Sequence, residues 1–403
     1  FPYLQKKTAR GVRRTPFHHH LKENGAVFGE LAGWERANWF ANPGQDPSYA
    51  YSWKRQNFFD NVAAEHKAVR SNLGLYDMSS FGKIRVEGPD ACAFMNYIGG
   101  GQYDVPLGKI VYTQFLNVRA GIEADVTVTR LSETCYLVVT PAATRLADQT
   151  WMMRHKGAFN VVITDVTAGE AVLAVMGPNA RKLLERVSPN DFSNAHNPFG
   201  TAQEIELGMG LARAHRVTYV GELGWEVYVS ADMAGHAFET IWQAGQQMEA
   251  KLCGMHMMDS CRIEKGFRHF GHDITCEDHV LEAGLGFAVK TDKAEFIGRD
   301  AVLRKKDAGL DARMVQFKLT DPEPLLYHNE PVLRDGEIVG YLSSGNYGHH
   351  LGGAIGLGYV PCAGESAAEV LASSYEIDVA GTRVVAEASL KPLYDPTGAR
   401  AKA

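Results

Sequence analysis

The sequence predicts an α+β fold that ends in a separate small β-domain, and three observations carry the prediction. A strand, then Gly-Pro, then a helix occurs twice, around Gly88-Pro89-Asp90 and around Gly177-Pro178-Asn179, with the proline where a first helical turn accepts it. Between these units, residues 113–129 (TQFLNVRAGIEADVTVT) read as a β-hairpin. Val111, Thr113 and Phe115 share one parity before the turn 117–121, and Val126 and Val128 share one parity after it. After Asp292 the chain changes to short strands with frequent glycine. Two like units so far apart imply a core assembled from separated parts of the chain.

Each element follows from its local pattern. Residues 1–15 carry five Lys/Arg (Lys6, Lys7, Arg10, Arg13, Arg14) and few large apolar side chains, which predicts a surface arm or linker. Residues 16–40 bring Phe17, Leu21, Val27, Phe28, Leu31, Trp34, Trp39 and Phe40, weight enough to pack, broken into short pieces by Gly25, Gly29 and Gly33. Residues 41–52 form a loop. Phe58, Val62 and Val69 predict an amphipathic helix over 57–69. In the hairpin, Asn and Gly supply the turn chemistry, and the second strand opens with Asp125. Residues 135–140 (CYLVVT) are a buried strand. Residues 203–230 predict two more strands, one reaching Val217 and Tyr219, the next carrying Trp225, Val227 and Val229, with residues 221–224 as the turn. Helices follow over 233–250, with Phe238, Ile241 and Trp242 inside, and over 255–265, ended by Gly266. Strands at 314–319, 331–333, 338–343, 354–359 and 375–379 make the last domain.

Composition narrows the function. The formal charge of −6 is small for 403 residues and excludes a large nucleic-acid footprint, which needs a basic face. No run approaches ~18 consecutive apolar residues, so no membrane span is expected. No secretory leader is visible, and the expected location is cytoplasmic, or the mitochondrial matrix in a eukaryote. The six cysteines form no CxxC and no zinc spacing, which predicts reduced, partly buried thiols. No metal site is expected, since neighbours such as His18-His19-His20 rarely converge on one ion. Gly99-Gly100-Gly101 lacks the spacing and strand context of a dinucleotide fingerprint.

Three acids and bases draw notice. Asp125 points away from the face of Val126 and Val128, and reads either as a general base or charge partner for a cationic intermediate, or as a solvated strand-end acid. Glu226 has the opposite parity to Trp225 and Val227. Its two oxygens suit a flat heterocycle with adjacent N–H and NH2 donors, and equally suit solvent. Arg262 offers a fork for carboxylates, or a routine i,i+3 pair with Asp259. Tyr347 and His349-His350 lie in a Gly-rich stretch that is a lid or only a turn between strands.

Taken together and in order, these pieces resemble the glycine-cleavage T-protein (aminomethyltransferase) family, and within it the folate-binding C-terminal half of dimethylglycine dehydrogenase, dimethylglycine oxidase and sarcosine dehydrogenase. The resemblance runs from about Arg14 to Asp395. It rests on Phe28-Gly29-Glu30 with residues 33–40 (GWERANWF), on Gly121-Ile122-Glu123-Ala124-Asp125, on residues 219–226, on Met258-Asp259-Ser260 with Arg262, on residues 281–286 (LEAGLG), and on Phe296-Ile297-Gly298-Arg299. T-proteins usually carry Gly-Gly and Asp-Asp around the catalytic acid. Here Ala120-Gly121 and Ala124-Asp125 stand in their place, and the second acid is kept.

The resemblance implies a three-domain cloverleaf around a central tetrahydrofolate site. Residues 1–83 and 170–290 would form the folate-binding core, 84–169 a second α+β domain carrying Asp125, and 291–403 a C-terminal β-barrel. It implies Glu226 as the acid that holds the pterin, Tyr219 as a wall of the folate pocket, Arg262 near the glutamate tail and Asp125 beside the reactive nitrogens. The implied activity is capture of a methylene from an N-methyl amine of the dimethylglycine or sarcosine type as 5,10-methylenetetrahydrofolate. FAD would sit only on a further domain or a flavoprotein partner. The alternatives are a demethylase that moves methyl directly to tetrahydrofolate, and a folate-fold regulatory subunit without turnover.

Overall fold

The computed structural model describes all 403 residues. Helices pack on a three-stranded, a five-stranded and a six-stranded sheet and a closed barrel, and the two Gly-Pro units fall in different sheets. The first runs from strand Gly82–Glu87 into helix Ala91–Ile98, within a five-stranded sheet ordered Ile110–Leu116, Ile122–Ser132, Cys135–Thr140, Gly82–Glu87, Val162–Asp165. The second runs from Glu170–Met176 into helix Ala180–Val187, within a six-stranded sheet ordered Ala202–Leu207, Gly210–His215, Gly224–Ser230, Glu170–Met176, Gly74–Asp77, Lys251–Leu252. Both glycines are required. Gly88 and Gly177 take φ of +145° and +130°, and a Cβ would meet the Asn160 carbonyl oxygen at 2.2 Å or that of Asn72 at 2.4 Å.

The C-terminal strands close into a six-stranded barrel: Ala312–Leu319, Gly353–Pro361, Glu337–Gly348, Pro331–Arg334, Tyr375–Val379 and Thr382–Ser389. Sequence patterning predicts all but the last, whose Thr382-Arg383 start and exposed Val385 weaken the apolar alternation. The stretch around His349-His350 is the turn of a hairpin. It is latched inward, because the N–H groups of His350 and Leu351 donate to Glu264 at 2.9 and 3.2 Å.

Two expectations are corrected. The N-terminal stretch is no free arm. Arg13–Arg14 adds a parallel strand beside Trp34–Phe40, Arg10 forks onto Glu35, and the Tyr3 ring lies 4.8 Å from that of His256. The charge count misleads because Arg10 finds the buried acid Glu35 and Arg13 lies over the Trp34 ring. The second correction concerns residues 216–223, which form no strand. The preceding strand ends at His215, Gly221 takes φ +83°, and Thr218 Oγ1 accepts the N–H groups of Val220 and Gly221 at 3.2 and 3.0 Å. A hydroxyl that captures backbone donors breaks the ladder. Tyr219 therefore rides on a loop.

The 117–121 turn also differs in detail. The strand after it starts at Ile122, so Asp125 lies inside the strand rather than at its opening. Ala120, not Asn or Gly, takes the positive φ, at +64°. Asn117 acts through its side chain, whose Oδ1 accepts from the N–H groups of Arg119 and Gly121 at 2.9 and 3.0 Å. Gly121 is needed for close approach: a Cβ there would lie 2.0 Å from the Cys276 carbonyl oxygen.

Candidate active site

The five-stranded and six-stranded sheets face each other at the centre of the molecule, and each contributes one acid. Along Ile122–Ser132, Ala124, Val126 and Val128 turn into the core with Phe94, Tyr136 and Val138. Asp125, Thr127 and Thr129 take the other face. Along Gly224–Ser230, Trp225, Val227 and Val229 pack with the helices Ala180–Val187 and Ala234–Gln246. Glu226 and Tyr228 take the face toward the other sheet. Both sides of this strand are thus covered, and Glu226 is 8% exposed.

Two contacts tie the faces together. His215 stands opposite Glu226 in register, and its Nδ1 lies 3.5 Å from Thr129 Oγ1. Arg213 Nε donates to His215 Nε2 at 3.0 Å, so the imidazole proton sits on Nδ1, toward Thr129. Leu137 and Val139, the register neighbours of Thr129 and Thr127, share one apolar cluster with Tyr76, Ala174 and Tyr228. Asp125 lies on the Thr129 face, four residues or ~13 Å along the strand. Asp125 and Glu226 thus lie on the facing sides of the two sheets. Asp125, Tyr219, Asp259 and Arg36 are each partly buried, and the charges of Arg262, Asp259 and Asp125 all reach the Tyr219 hydroxyl.

Asp125 is held by a register partner. Gln114 stands opposite it, and its Nε2 donates to Asp125 Oδ1 at 2.7 Å. Burial pushes the Asp125 carboxyl up to about 6, while the Gln114 amide, the Tyr112 hydroxyl and the Arg268 charge pull it down. It is mostly ionised at neutral pH and close to its own titration, as a proton acceptor should be. Glu226 is lonelier. Its Oε2 accepts from Tyr228 at 2.8 Å, and its other oxygen has no protein donor. Burial raises it to about 7, opposed by Tyr228 and the Lys83 charge. An acid so poorly satisfied in the interior fits a ligand that brings its own N–H donors.

Tyr219 donates from its hydroxyl to the Arg268 carbonyl at 2.7 Å and stacks on Phe267 at 6.0 Å, which fixes its ring as a wall. Arg262 is committed more fully than expected. Its Nε donates to Asp259 at 2.7 Å, Nη1 to Asp273 at 2.7 Å and to the Phe267 carbonyl at 3.1 Å, and Nη2 to Ser344 at 3.0 Å. The i,i+3 pair with Asp259 is real, and one guanidinium N–H is left over.

Gln114, Tyr228 and Arg36 are not singled out by the sequence. Counting outward from the 117–121 turn pairs Gln114 with Asp125, and strand alternation puts Tyr228 beside Glu226. No pattern signals the state of Arg36, because the charges around it come from remote segments.

Residues 17–293 match the family model of the GCVT N-terminal domain, and residues 313–395 match that of the glycine cleavage T-protein C-terminal barrel domain. The chain is 44% identical, over 99% of its length, to 48% of a 4-methylaminobutanoate oxidase (formaldehyde-forming) of Paenarthrobacter nicotinovorans. It is 31% identical, over 90% of its length, to 42% of the human mitochondrial dimethylglycine dehydrogenase. The chain thus spans about half the length of these relatives. A crystal structure of glycine cleavage system aminomethyltransferase T from Bartonella henselae superposes with a TM-score of 0.81, covering 96% of this chain and 99% of that one at 24% identity, which establishes the fold.

Proposed function

We propose, for a chain that belongs to the glycine cleavage T-protein family, tetrahydrofolate-dependent one-carbon transfer, with Asp125 and Glu226 as the two acids of the site. What supports this reading is that two carboxyls raised by burial lie on the facing sides of the two central sheets, each with few protein donors. Glu226 would hold the pterin through its free oxygen, and Tyr219 would line its face. Arg262 would turn its remaining N–H toward the tail. Tetrahydrofolate supplies the nitrogens that take up the carbon, one of which must shed a proton. Asp125 would accept that proton and, while ionised, stabilise positive charge beside it. Gln114 would keep the carboxylate aimed, and the sheet walls would exclude water and hold the reactants together.

The donor we propose is an N-methylated amino acid, dimethylglycine or sarcosine in type, oxidised to the methylene level on a flavin domain or partner chain, with 5,10-methylenetetrahydrofolate as product. The names of both curated relatives, an oxidase and a dehydrogenase of N-methylated amino acids, support this. The test is to incubate the pure chain with tetrahydrofolate and each donor, with and without a flavoprotein amine dehydrogenase. Methylene-folate formed above the uncatalysed rate, only with the dehydrogenase, is the expected result. Methyl-folate formed without flavin would replace the reading with direct methyl transfer. Folate binding with no product in either arm would leave a regulatory subunit.

A further inference from the structure

One charged group close to Asp77 and Asp259 has no partner. Arg36, in strand Trp34–Phe40, makes no hydrogen bond and no ion pair, and its Nε is buried and unsatisfied. It stands opposite Gly29, on the face where a Cβ would meet Gln5 and Asn38. The helix Met255–Glu264 packs against this strand and brings His256 and Asp259 within reach of its field. The two acids it feels are already spent. Asp259 accepts from Arg262 and Asn346, at 2.7 and 2.6 Å. Asp77 accepts from Thr15 Oγ1 at 2.5 Å and from the Ser79 N–H at 2.8 Å. Burial, against the pull of Asp77 and Asp259, pushes the guanidinium down to about 10, so it remains charged.

An unpaired guanidinium in the interior is costly and is tolerated where an anion completes it. Arg262, the other arginine beside Asp259, has most of its fork filled by two aspartates, so Arg36 is the better receptor for an incoming planar anion. We propose that Arg36 is a carboxylate receptor, forming a two-bond pair with a carboxylate carried in by a small-molecule ligand. The proposal rests on the one-carbon-transfer reading for its ligands, and two of them carry such a group: the glutamate tail of the folate and an N-methylated amino-acid donor.

The test combines Arg36→Met and Arg36→Lys with binding and NMR on the full chain. The Arg36 Nε–H signal, assigned by its loss in Arg36→Lys, is expected to shift when tetrahydrofolate or dimethylglycine is added. If the tail is the partner, Arg36→Met binds tetrahydrofolate about 10- to 100-fold more weakly and binds tetrahydropteroate, which lacks the glutamate, as wild type does. If the donor is the partner, folate binding is unchanged and only carboxylated amines show a raised KM. A merely structural Arg36 predicts a lowered melting temperature in Arg36→Met, whereas removing an unpaired buried charge leaves it equal or higher. Wild-type folate binding with an unmoved Nε–H signal and unchanged ligand affinities in Arg36→Met overturns the receptor. A signal that moves with dimethylglycine in a chain that binds no folate supports the receptor and rejects the one-carbon reading instead.

Discussion

Two buried glutamates in this molecule behave in opposite ways. Glu264 ends the helix Met255–Glu264 and is fully enclosed. Burial alone would raise it, but hydrogen bonding and charge from His66 and Arg70 outweigh burial and hold it down at about 2. Arg70 donates to Glu264 at 2.8 Å and to Glu222 at 3.1 Å, and Arg400 adds a further donor to Glu222 at 2.8 Å. Two loop amides complete the second oxygen of Glu264. Glu226 has one hydroxyl and a remote lysine, and stands at about 7. The difference separates two uses of charge. Around Arg70, charges complete one another and fasten helix Phe59–Ser71, helix Met255–Glu264 and the C-terminal segment. Glu226, Asp125 and Arg36 are by contrast left incomplete, which a protein tolerates where a ligand finishes the job.

The comparison can be broken at either end. The largest effect is expected at Asp125. Asp125→Ala should lower transfer by roughly 10²–10⁴-fold while tetrahydrofolate still binds. Unchanged turnover in that variant rejects the proposed role. At the paired end, Glu264→Ala strands Arg70 and His66 without their acid, and should cost about 3–5 kcal/mol in denaturant unfolding. A loss no larger than that of a surface substitution would show that the network is not what fastens these elements.

Glu226→Gln sharpens the contrast, because binding and stability should move in opposite directions. Folate affinity should fall by about 1–3 kcal/mol as the amide loses the paired acceptor. Stability without ligand should rise at pH 8. The sign follows from the raised pKa. The folded state binds the Glu226 proton more tightly than the unfolded state does, so this group's contribution declines as pH climbs from the ordinary glutamate value through about 7. The amide escapes that loss, worth ~1–3 kcal/mol. A Gln variant less stable at pH 8 than wild type refutes the assignment of Glu226 as an unsatisfied acid.

The smallest effect is a displaced titration. Transfer should fall as pH drops through about 6, where Asp125 takes up its proton. Gln114→Leu removes a donor to the ionised form, so the midpoint of that fall should move upward by roughly one pH unit. A pH profile that does not move would mean that Gln114 packs without tuning the acid.

Much of this arrangement is legible in the residues. Alternation found the hairpin that carries Asp125, and parity alone set Glu226 apart from Trp225 and Val227. Gly-Pro pairs marked the start of helices in both sheets, because each strand must turn at a glycine that no other residue replaces. What failed did so for physical reasons. Tyr219 has strand-like neighbours, but the Thr218 hydroxyl takes the backbone donors. Residues 1–15 look solvated by charge, but Arg10 is neutralised by Glu35, some 25 positions away. Arg262 shows one local partner in the sequence and has three more acceptors in the structure, while Arg36 has none.

By itself, the sequence determined which residues alternate, where the chain must turn, and which side of its strand each acid takes. These follow from two-residue periodicity and from sterics at glycine, which act over a few bonds. Only the tertiary structure decided which charges are completed and which are left open. Pairing depends on whether Arg70 or Arg36 ends beside an unspent carboxylate, and those carboxylates arrive from segments up to two hundred residues away.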